Sequence, residues 1–227
     1  MGTYKQKKYS ENRRECYRHL SAYFYTPDSG SSPDPGRAED LVTALQLLSP
    51  EGASWAQAML RERKRSSTEN LAAEHARLFI GPFELGAPPY GSVYLERGRR
   101  VMGDSTMEVI RLYRKMGLSI PDSFKELPDH VAVELEFMYY LIFKQIEMAQ
   151  AGDSQRARAF METQGEFISM YLRSWIPGFC SAILAATDCP FYRSLARCLD
   201  IFTEADARYL RSELATVPTD RGSAAER

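Results

Sequence analysis

The chain has 227 residues, of which 44% are apolar and 26% are charged, and this composition is typical of one globular domain. Basic and acidic residues nearly balance, at 29 against 30, so no bulk charge attracts the chain to nucleic acid or to anionic lipid. Nucleic-acid binding is therefore disfavoured, and any charged partner must be met by a local patch.

Targeting and cysteine patterns favour the cytoplasm. The basic N-terminus is followed by polar residues from Ser10 to Arg14, where an export signal would have its apolar core. No uninterrupted apolar run approaches the length of a membrane span. The four cysteines show no CxxC spacing, and we interpret them as reduced thiols. We expect a cytoplasmic protein with no integral membrane segment.

Helical periodicity predicts an all-α protein, because apolar residues recur at three- and four-residue steps and no convincing alternating strand is present. We expect a single-domain, bundle-like helical globule over residues 10–215, between a flexible N-terminal extension at 1–9 and a disordered tail at 216–227. Helices are predicted at 11–25, about 39–48, 50 to beyond 60, 66–79, 104–116, 128–151, 154–171, about 177–186 and 190–214.

Three helix starts have local signals. Ser66 with Glu69 forms a capping-box pattern, and Ser105 with Glu108 forms another. Pro128 stands at a first-turn position of the next helix, which is apolar over most of its circumference. We therefore expect the helix from Pro128 to be the central one.

The segment 74–106 places a long aromatic- and proline-rich loop between two helical patterns. Its rings and prolines are Phe79, Phe83, Tyr90, Tyr94, Pro82, Pro88 and Pro89. A long loop in a compact domain is usually functional or disordered, and so many aromatic residues argue against disorder. The prolines stiffen the backbone, which suits a platform that grips a peptide. Rings in such a loop also plug it onto the core, and we expect both uses here.

Familiar catalytic and metal-binding signatures are absent from the sequence. The three histidines are scattered, and there is no HExxH, glycine-rich phosphate loop or GxSxG motif. The one suggestive pair is Asp129-His130, which could be a general base with its orienter. A structural role for Asp129 at the helix start is favoured, because adjacent helical residues point in different directions and no nucleophile accompanies the pair.

Five motifs occur in order along the chain: RLFIGP at 77–82, APPYGSVYLE at 87–96, GDST at 103–106, ELPDH at 126–130 and CPFYRSLA at 189–196. Together they resemble the TorD/DmsD family, and its DmsD branch most closely, over about residues 16–214. The resemblance implies a non-enzymatic, all-helical cytoplasmic chaperone, also called a redox enzyme maturation protein. Such a chaperone binds the twin-arginine signal peptide of a molybdoenzyme and holds the apoenzyme until its molybdopterin cofactor is loaded.

The resemblance also implies where the signal peptide binds. The motifs transfer that surface onto Leu78, Phe79, Pro82, Pro89, Tyr90, Tyr94, Gly103, Asp129 and His130. We include in the predicted surface four residues that lie within or directly after these motifs: Phe83, Asp104, Glu126 and Pro128. His75, Phe83, Tyr90 and Tyr94 stand where close relatives tend to have tryptophan. We therefore expect an aromatic pocket with its own shape and peptide preference.

A twin-arginine signal has two guanidinium groups followed by an apolar helix-forming stretch, so its receptor needs carboxylates beside an apolar groove. The candidate carboxylates are Glu74, Glu84, Glu96, Asp104, Glu126 and Asp129. No cofactor of the chaperone's own is expected, and weak guanine-nucleotide binding is implied by the resemblance alone.

Two alternatives stay open at this point. One is a helical scaffold or oligomerisation module that self-associates through the loop, and the other is a small hydrolase that uses Asp129 and His130. The sequence does not distinguish a monomer from a helix-swapped dimer. Nor does it identify the molybdoenzyme that the chaperone serves.

Overall fold

The computed structural model of the chain describes residues 2–27, 35–81, 85–121 and 124–216, and these residues form an all-helical globule, as predicted. The α-helices are α1 (Gly2–Ala22), α2 (Pro35–Leu48), α3 (Pro50–Arg65), α4 (Thr68–His75), α5 (Gly91–Leu95), α6 (Asp104–Lys115), α7 (Val131–Gln150), α8 (Ser154–Phe167), α9 (Arg173–Ala186) and α10 (Pro190–Ala215). A π-helical turn, Ala76–Ile80, follows α4, and a second one, Ile168–Leu172, joins α8 to α9.

The core forms between α7 and the helices around it. α7 packs against α1 and α8, α10 packs against α3 and α9, and α2 lies against α1 and α3. The largest apolar side chains that are fully buried are Tyr17, Phe24, Phe167, Trp175, Phe179, Tyr192 and Phe202. α7 buries residues around most of its circumference, including Val131, Leu135 and Ile142, as its sequence predicted. It was also predicted to be the central helix, but α10 packs against more of the other helices, including α2, α3, α8 and α9.

The first helix is longer than predicted. It begins at Gly2, so the extension expected to be flexible at 1–9 is helical from Gly2 onward. The ring centroids of Tyr9 and Tyr209 lie 4.3 Å apart, and Gln6 donates a hydrogen bond to Glu213 at 3.0 Å. The end of α10 thus supplies contacts that the polar composition of the N-terminal segment does not indicate. Residues 217–227 of the predicted tail lie outside the described residues.

Helix starts differ from the predictions because other side chains cap them. The N-cap of α4 is Ser67, whose hydroxyl accepts from the Asn70 amide at 3.2 Å, while Ser66 ends α3. α7 begins at Val131, three residues after Pro128, because His130 Nδ1 accepts from the Ala132 amide at 3.2 Å. The turn before α7 is closed by a hydrogen bond from the His130 amide to the Leu127 carbonyl.

One continuous helix runs from Ser154 to Ala186, where two separate helices were predicted. The π-helical turn changes the register just before Pro177, and a proline is tolerated where the hydrogen-bond ladder is already interrupted. By length and composition alone this helix could cross a membrane, but core helices pass the same test. Trp175 and Phe179 are buried, and Arg173 forms ion pairs with α10, as expected of a core helix.

Candidate functional site

The long loop is joined to the start of α7 by backbone hydrogen bonds. Tyr90 and His130 form an isolated antiparallel β-bridge. The Gly91 amide donates to the Asp129 carbonyl at 2.9 Å, and the Val131 amide donates to the Pro89 carbonyl at 2.8 Å. We call this unit, formed by residues 89–92 and 129–134 with Trp175, the loop–helix junction.

Asp129 anchors the loop within the loop–helix junction. Its side chain is only 1% exposed, and Oδ2 accepts a hydrogen bond from the Ser92 amide at 2.8 Å. Ser92 is at the first turn of α5, so the carboxylate also lies at the positive end of a short helix. Neither Asp129 Oδ1 nor the Ser92 hydroxyl has a hydrogen-bond partner among the described residues. The buried Asp129 therefore positions the loop and is not exposed to a peptide.

His130 is buried between two aromatic rings. Tyr25 stacks on it at 6.0 Å with an interplanar angle of 18°, and Tyr90 contacts it edge-on at 5.5 Å. Burial, with a smaller effect of His75, lowers the pKa of His130 to about 4, so the imidazole is neutral at pH 7. Because Nδ1 accepts from the Ala132 amide, Nε2 carries the proton, and it lies 3.9 Å from Glu126 Oε2.

The side chains of Asp129 and His130 each bond to a backbone amide, and neither bonds to the other. A base with its orienter requires a hydrogen bond between the two side chains. The hydrolase hypothesis therefore lacks its central geometric requirement in the described structure, and the structural role predicted for Asp129 is the one observed.

Glu134 is a second buried carboxyl group of the loop–helix junction. Glu134 Oε2 accepts a hydrogen bond from Trp175 Nε1 at 3.0 Å. Burial raises the pKa of the Glu134 carboxyl well above its usual value, the indole bond opposes this, and the Asp129 charge adds to it. A Cβ on Gly91 would lie 3.0 Å from Trp175 Nε1, so glycine allows the loop to approach this closely. The sequence prediction omitted Glu134 and Trp175, although an acidic residue within an apolar helical run was a usable signal.

Several predicted site residues belong to the core. Leu78 and Phe79 are buried, and the Phe79 ring contacts Phe179 and Tyr192 at 5.9 and 5.8 Å. Tyr94 is half-buried and stacks on Trp175 at 5.7 Å. Buried positions are also observed for Pro89 and Pro128, whereas Pro82, Phe83 and the candidate carboxylate Glu84 lie outside the described residues. The rings of Phe79 and Tyr94 therefore pack against core residues.

Gly103 and Asp104 belong to the start of α6. Glu96 Oε1 accepts from both the amide and the hydroxyl of Ser105 at 2.8 Å, which caps this helix from outside it. The Gly103 Cα approaches the Glu96 side chain so closely that a Cβ would lie 2.5 Å from Glu96 Cδ. Asp104 is exposed in the first turn, where a carboxylate complements the helix dipole. The GDST motif thus has an observed structural role at the start of α6, and its role in peptide binding stays a prediction.

The candidate carboxylates differ in what they already bind. Glu74 pairs with Arg77 and accepts from Thr187, and Glu96 caps α6. Glu126 remains 35% exposed, and its one contact at ion-pair distance is with the neutral His130. The Glu126 charge raises the pKa of both Tyr25 and Tyr90, secondary to burial. Glu126 therefore lies beside His130 and its two packed rings, with no cationic partner among the described residues.

These features define an all-helical protein in which buried polar groups hold a long loop against the start of α7. A family model described as nitrate reductase delta subunit matches residues 38–181. Chaperone protein TorD of Vibrio parahaemolyticus is 28% identical over 214 residues, covering 91% of this chain and 98% of that protein. Chaperone protein TorD of Photobacterium profundum is 29% identical over 213 residues, covering 90% and 97%.

The fold has a solved counterpart. The crystal structure of a candidate redox enzyme maturation protein from Archaeoglobus fulgidus has a TM-score of 0.54 and 24% sequence identity. The match covers 84% of this chain and 93% of that chain. At this identity the likeness concerns the fold.

The chain belongs to the TorD/nitrate reductase delta subunit family of redox enzyme maturation proteins. It is a non-enzymatic chaperone of molybdoenzyme maturation. The matched relatives carry the name TorD, so the expected placement in the DmsD branch is not supported.

Proposed function

We propose that this chaperone works in the cytoplasm and binds the twin-arginine signal peptide of its molybdoenzyme partner at the exposed side of the loop–helix junction. The bound apoenzyme is then held until its cofactor is inserted. Family membership supports a molybdoenzyme partner, and the near-zero net charge leaves recognition of a cationic peptide to a local patch.

The proposal rests on the surroundings of Glu126. Its carboxylate has no lysine or arginine partner within the described residues, and it lies 3.9 Å from His130, against which the half-buried rings of Tyr25 and Tyr90 pack. A guanidinium group binds a carboxylate through two parallel hydrogen bonds and stacks on aromatic faces. A carboxylate beside this aromatic cluster therefore suits an arginine better than a lysine.

Calorimetric titration of the full chain tests the proposal. Three peptides are compared: a twin-arginine signal peptide, its Lys-Lys variant and a scrambled sequence. We expect micromolar to submicromolar affinity for the first, corresponding to about 8 to 10 kcal/mol, and roughly tenfold weaker binding of the Lys-Lys peptide because an ammonium cannot form the paired contacts. Equal affinity for all three peptides would contradict the proposal.

A matched pair of variants locates the contact. Glu126→Gln should abolish the preference for Arg-Arg over Lys-Lys. Glu147→Gln, at an exposed α7 position paired with Lys144, should leave the preference unchanged. If both variants keep the full preference, the arginines bind elsewhere on the chain.

A further inference from the structure

An apolar groove lies beside the loop–helix junction, where the chain leaving α6 passes over α7. Val133, Phe137 and Tyr140 stand at helical spacing on one face of α7 and form its floor. Leu118, Ile120 and Phe124 form the opposite wall. We call these six residues the α6–α7 groove, which encloses about 240 Å³.

The polar atoms of the surrounding rings are already bonded within the protein. Tyr113, which also borders the groove, donates its hydroxyl to the Pro128 carbonyl at 3.0 Å. The Tyr140 hydroxyl donates to the Met116 carbonyl at 3.0 Å. The α6–α7 groove therefore presents ring faces and aliphatic carbons, and the Phe124 side chain on its rim is 37% exposed. An apolar groove of this kind suits the side chains of a bound helix.

One border of the groove is acidic. Glu136 contributes to its lining and is exposed, and its charge raises the pKa of Tyr25, secondary to burial. The Glu126 charge also raises the pKa of Tyr25, by less than Glu136 does, so both glutamates lie near this ring. Neither Glu126 nor Glu136 forms an ion pair with lysine or arginine in the described part of the chain. The arrangement is complementary to an apolar segment that carries positive charge at one end.

We propose that the α6–α7 groove binds the apolar helical stretch of the signal peptide, while Glu126 and Glu136 face the arginine pair that precedes this stretch. The inference rests on the proposed function and assigns the apolar half of the peptide to a surface outside the aromatic loop. A helical peptide binds a groove through side chains spaced three and four residues apart, and the floor of this groove has the same spacing. The volume is below the roughly 300 to 1,000 Å³ of small-molecule pockets, so it fits a few side chains of a peptide.

Three apolar side chains of the loop pack against the core. Phe79 is buried and Tyr94 stacks on Trp175. Leu78 is buried as well. The α6–α7 groove, by contrast, is an open apolar surface with the acidic Glu136 in its lining.

Two matched variants test the groove. Phe124→Asp places a charge on its rim, and Phe143→Asp places the same charge at another exposed phenylalanine, 40% exposed, that does not line it. We expect Phe124→Asp to weaken binding of a twin-arginine peptide at least tenfold, with no change for Phe143→Asp. A peptide whose apolar stretch is replaced by serine and glycine should bind both variants and the unaltered chain equally weakly. Circular dichroism confirms that the variants are folded.

Cross-linking gives a readout that does not depend on the folding of a variant. A peptide with a photoreactive group in its apolar stretch should attach to residues 118–121, to Phe124 or to residues 133–140 of the unaltered chain. Attachment elsewhere, or unchanged affinity of a folded Phe124→Asp, overturns the groove assignment while the proposed function survives. Failure of the unaltered chain to prefer the twin-arginine peptide overturns both. A change of sedimentation with Phe124→Asp in the absence of peptide would instead identify a second copy of the chain as the occupant, and this also overturns the assignment.

Discussion

Buried charge is stabilised in different ways in two regions of this protein. The α1–α10 polar cluster consists of Arg13, Tyr17, Gln164 and Asp206. Arg13 donates to both Asp206 oxygens, through Nε and, at 3.0 Å, through Nη2. The Tyr17 hydroxyl donates to Asp206 at 2.7 Å, and Arg13 also donates to Gln164 at 2.9 Å. Opposite charges therefore meet directly and connect α1, α8 and α10.

The loop–helix junction buries two carboxylates, Asp129 and Glu134, with no cation beside them among the described residues. Each accepts from one N–H group, on the Ser92 backbone and the Trp175 indole. Each region has a buried atom of a charged side chain that lacks a partner among the described residues, Asp129 Oδ1 here and Arg13 Nη1 in the α1–α10 polar cluster, so the regions differ in the counter-charge and not in an unpaired atom. The comparison indicates that the α1–α10 polar cluster joins helices through a buried ion pair, whereas the loop–helix junction holds the loop through carboxylates that accept from N–H groups.

The largest effect on stability is expected from breaking the ion pair between Arg13 and Asp206. Asp206→Ala leaves the guanidinium of Arg13 buried without its counter-charge, and such a loss typically costs about 3 to 5 kcal/mol of unfolding free energy. Urea unfolding followed by circular dichroism measures this. A double variant, Arg13→Met with Asp206→Leu, should recover most of the loss, because it removes both charges and keeps an apolar contact.

A substitution in the loop–helix junction is compared with Asp206→Ala in the same experiment. Glu134→Gln keeps an acceptor for the Trp175 indole and removes the buried carboxyl group, so its unfolding free energy should change by less than about 1 kcal/mol at pH 7. Similar losses for Asp206→Ala and Glu134→Gln would show that the two regions do not differ in the way described.

Acid should destabilise the loop–helix junction through His130. Its pKa is lowered to about 4 in the folded chain by burial, whereas an unfolded histidine titrates near 6.5. Below pH 6.5 the unfolded chain therefore binds a proton that the folded chain does not, and stability falls with pH until about 4. The full loss amounts to about 3 kcal/mol.

His130→Asn isolates this contribution. Asparagine retains a side-chain acceptor for the start of α7 and does not titrate. Urea unfolding at pH 7.5 and 4.5 should give a smaller loss for this variant than for the unaltered chain, by about 2 to 3 kcal/mol. Two other shifted groups, Glu134 and His75, are present in both proteins, so their contributions to the pH dependence cancel in the difference. The pKa of Glu134 is raised, which stabilises the folded state toward low pH, and the pKa of His75 is lowered. Equal pH dependence would mean that His130 is not the titrating group.

Much of the fold could be predicted because local patterns determine it. α10 was predicted to within a residue of its end, since Pro190 starts it and its apolar stripe is continuous. α1 was predicted too short, because the contact between Tyr9 and Tyr209 joins residues far apart in sequence. The continuous helix from α8 into α9 was predicted as two separate helices, because the π-helical turn that joins them has no simple periodic signal.

The candidate site was predicted in part. The sequence placed the long loop and Asp129-His130 in one surface, and the structure joins them through the bridge between Tyr90 and His130. Whether a ring faces the core depends on its tertiary neighbours, so the inward position of Phe79 could not be read from the loop. The bond between Glu134 and Trp175 joins residues 41 positions apart, and a single sequence carries no direct sign of that pairing.

A smaller effect than that of His130 is expected at Gly103, where the predicted peptide surface and an observed structural role overlap. In Gly103→Ala the new Cβ would lie 2.5 Å from Glu96 Cδ, so the carboxylate must move away from Ser105. Loss of a helix cap costs about 1 kcal/mol, and thermal unfolding should register a decrease of that size. Glu96→Ala should cost the same, and the double variant should cost no more than either one, because both remove one interaction. Additive losses would contradict a shared cap, and weaker binding of the twin-arginine peptide by Gly103→Ala at unchanged stability would instead place Gly103 in the peptide surface.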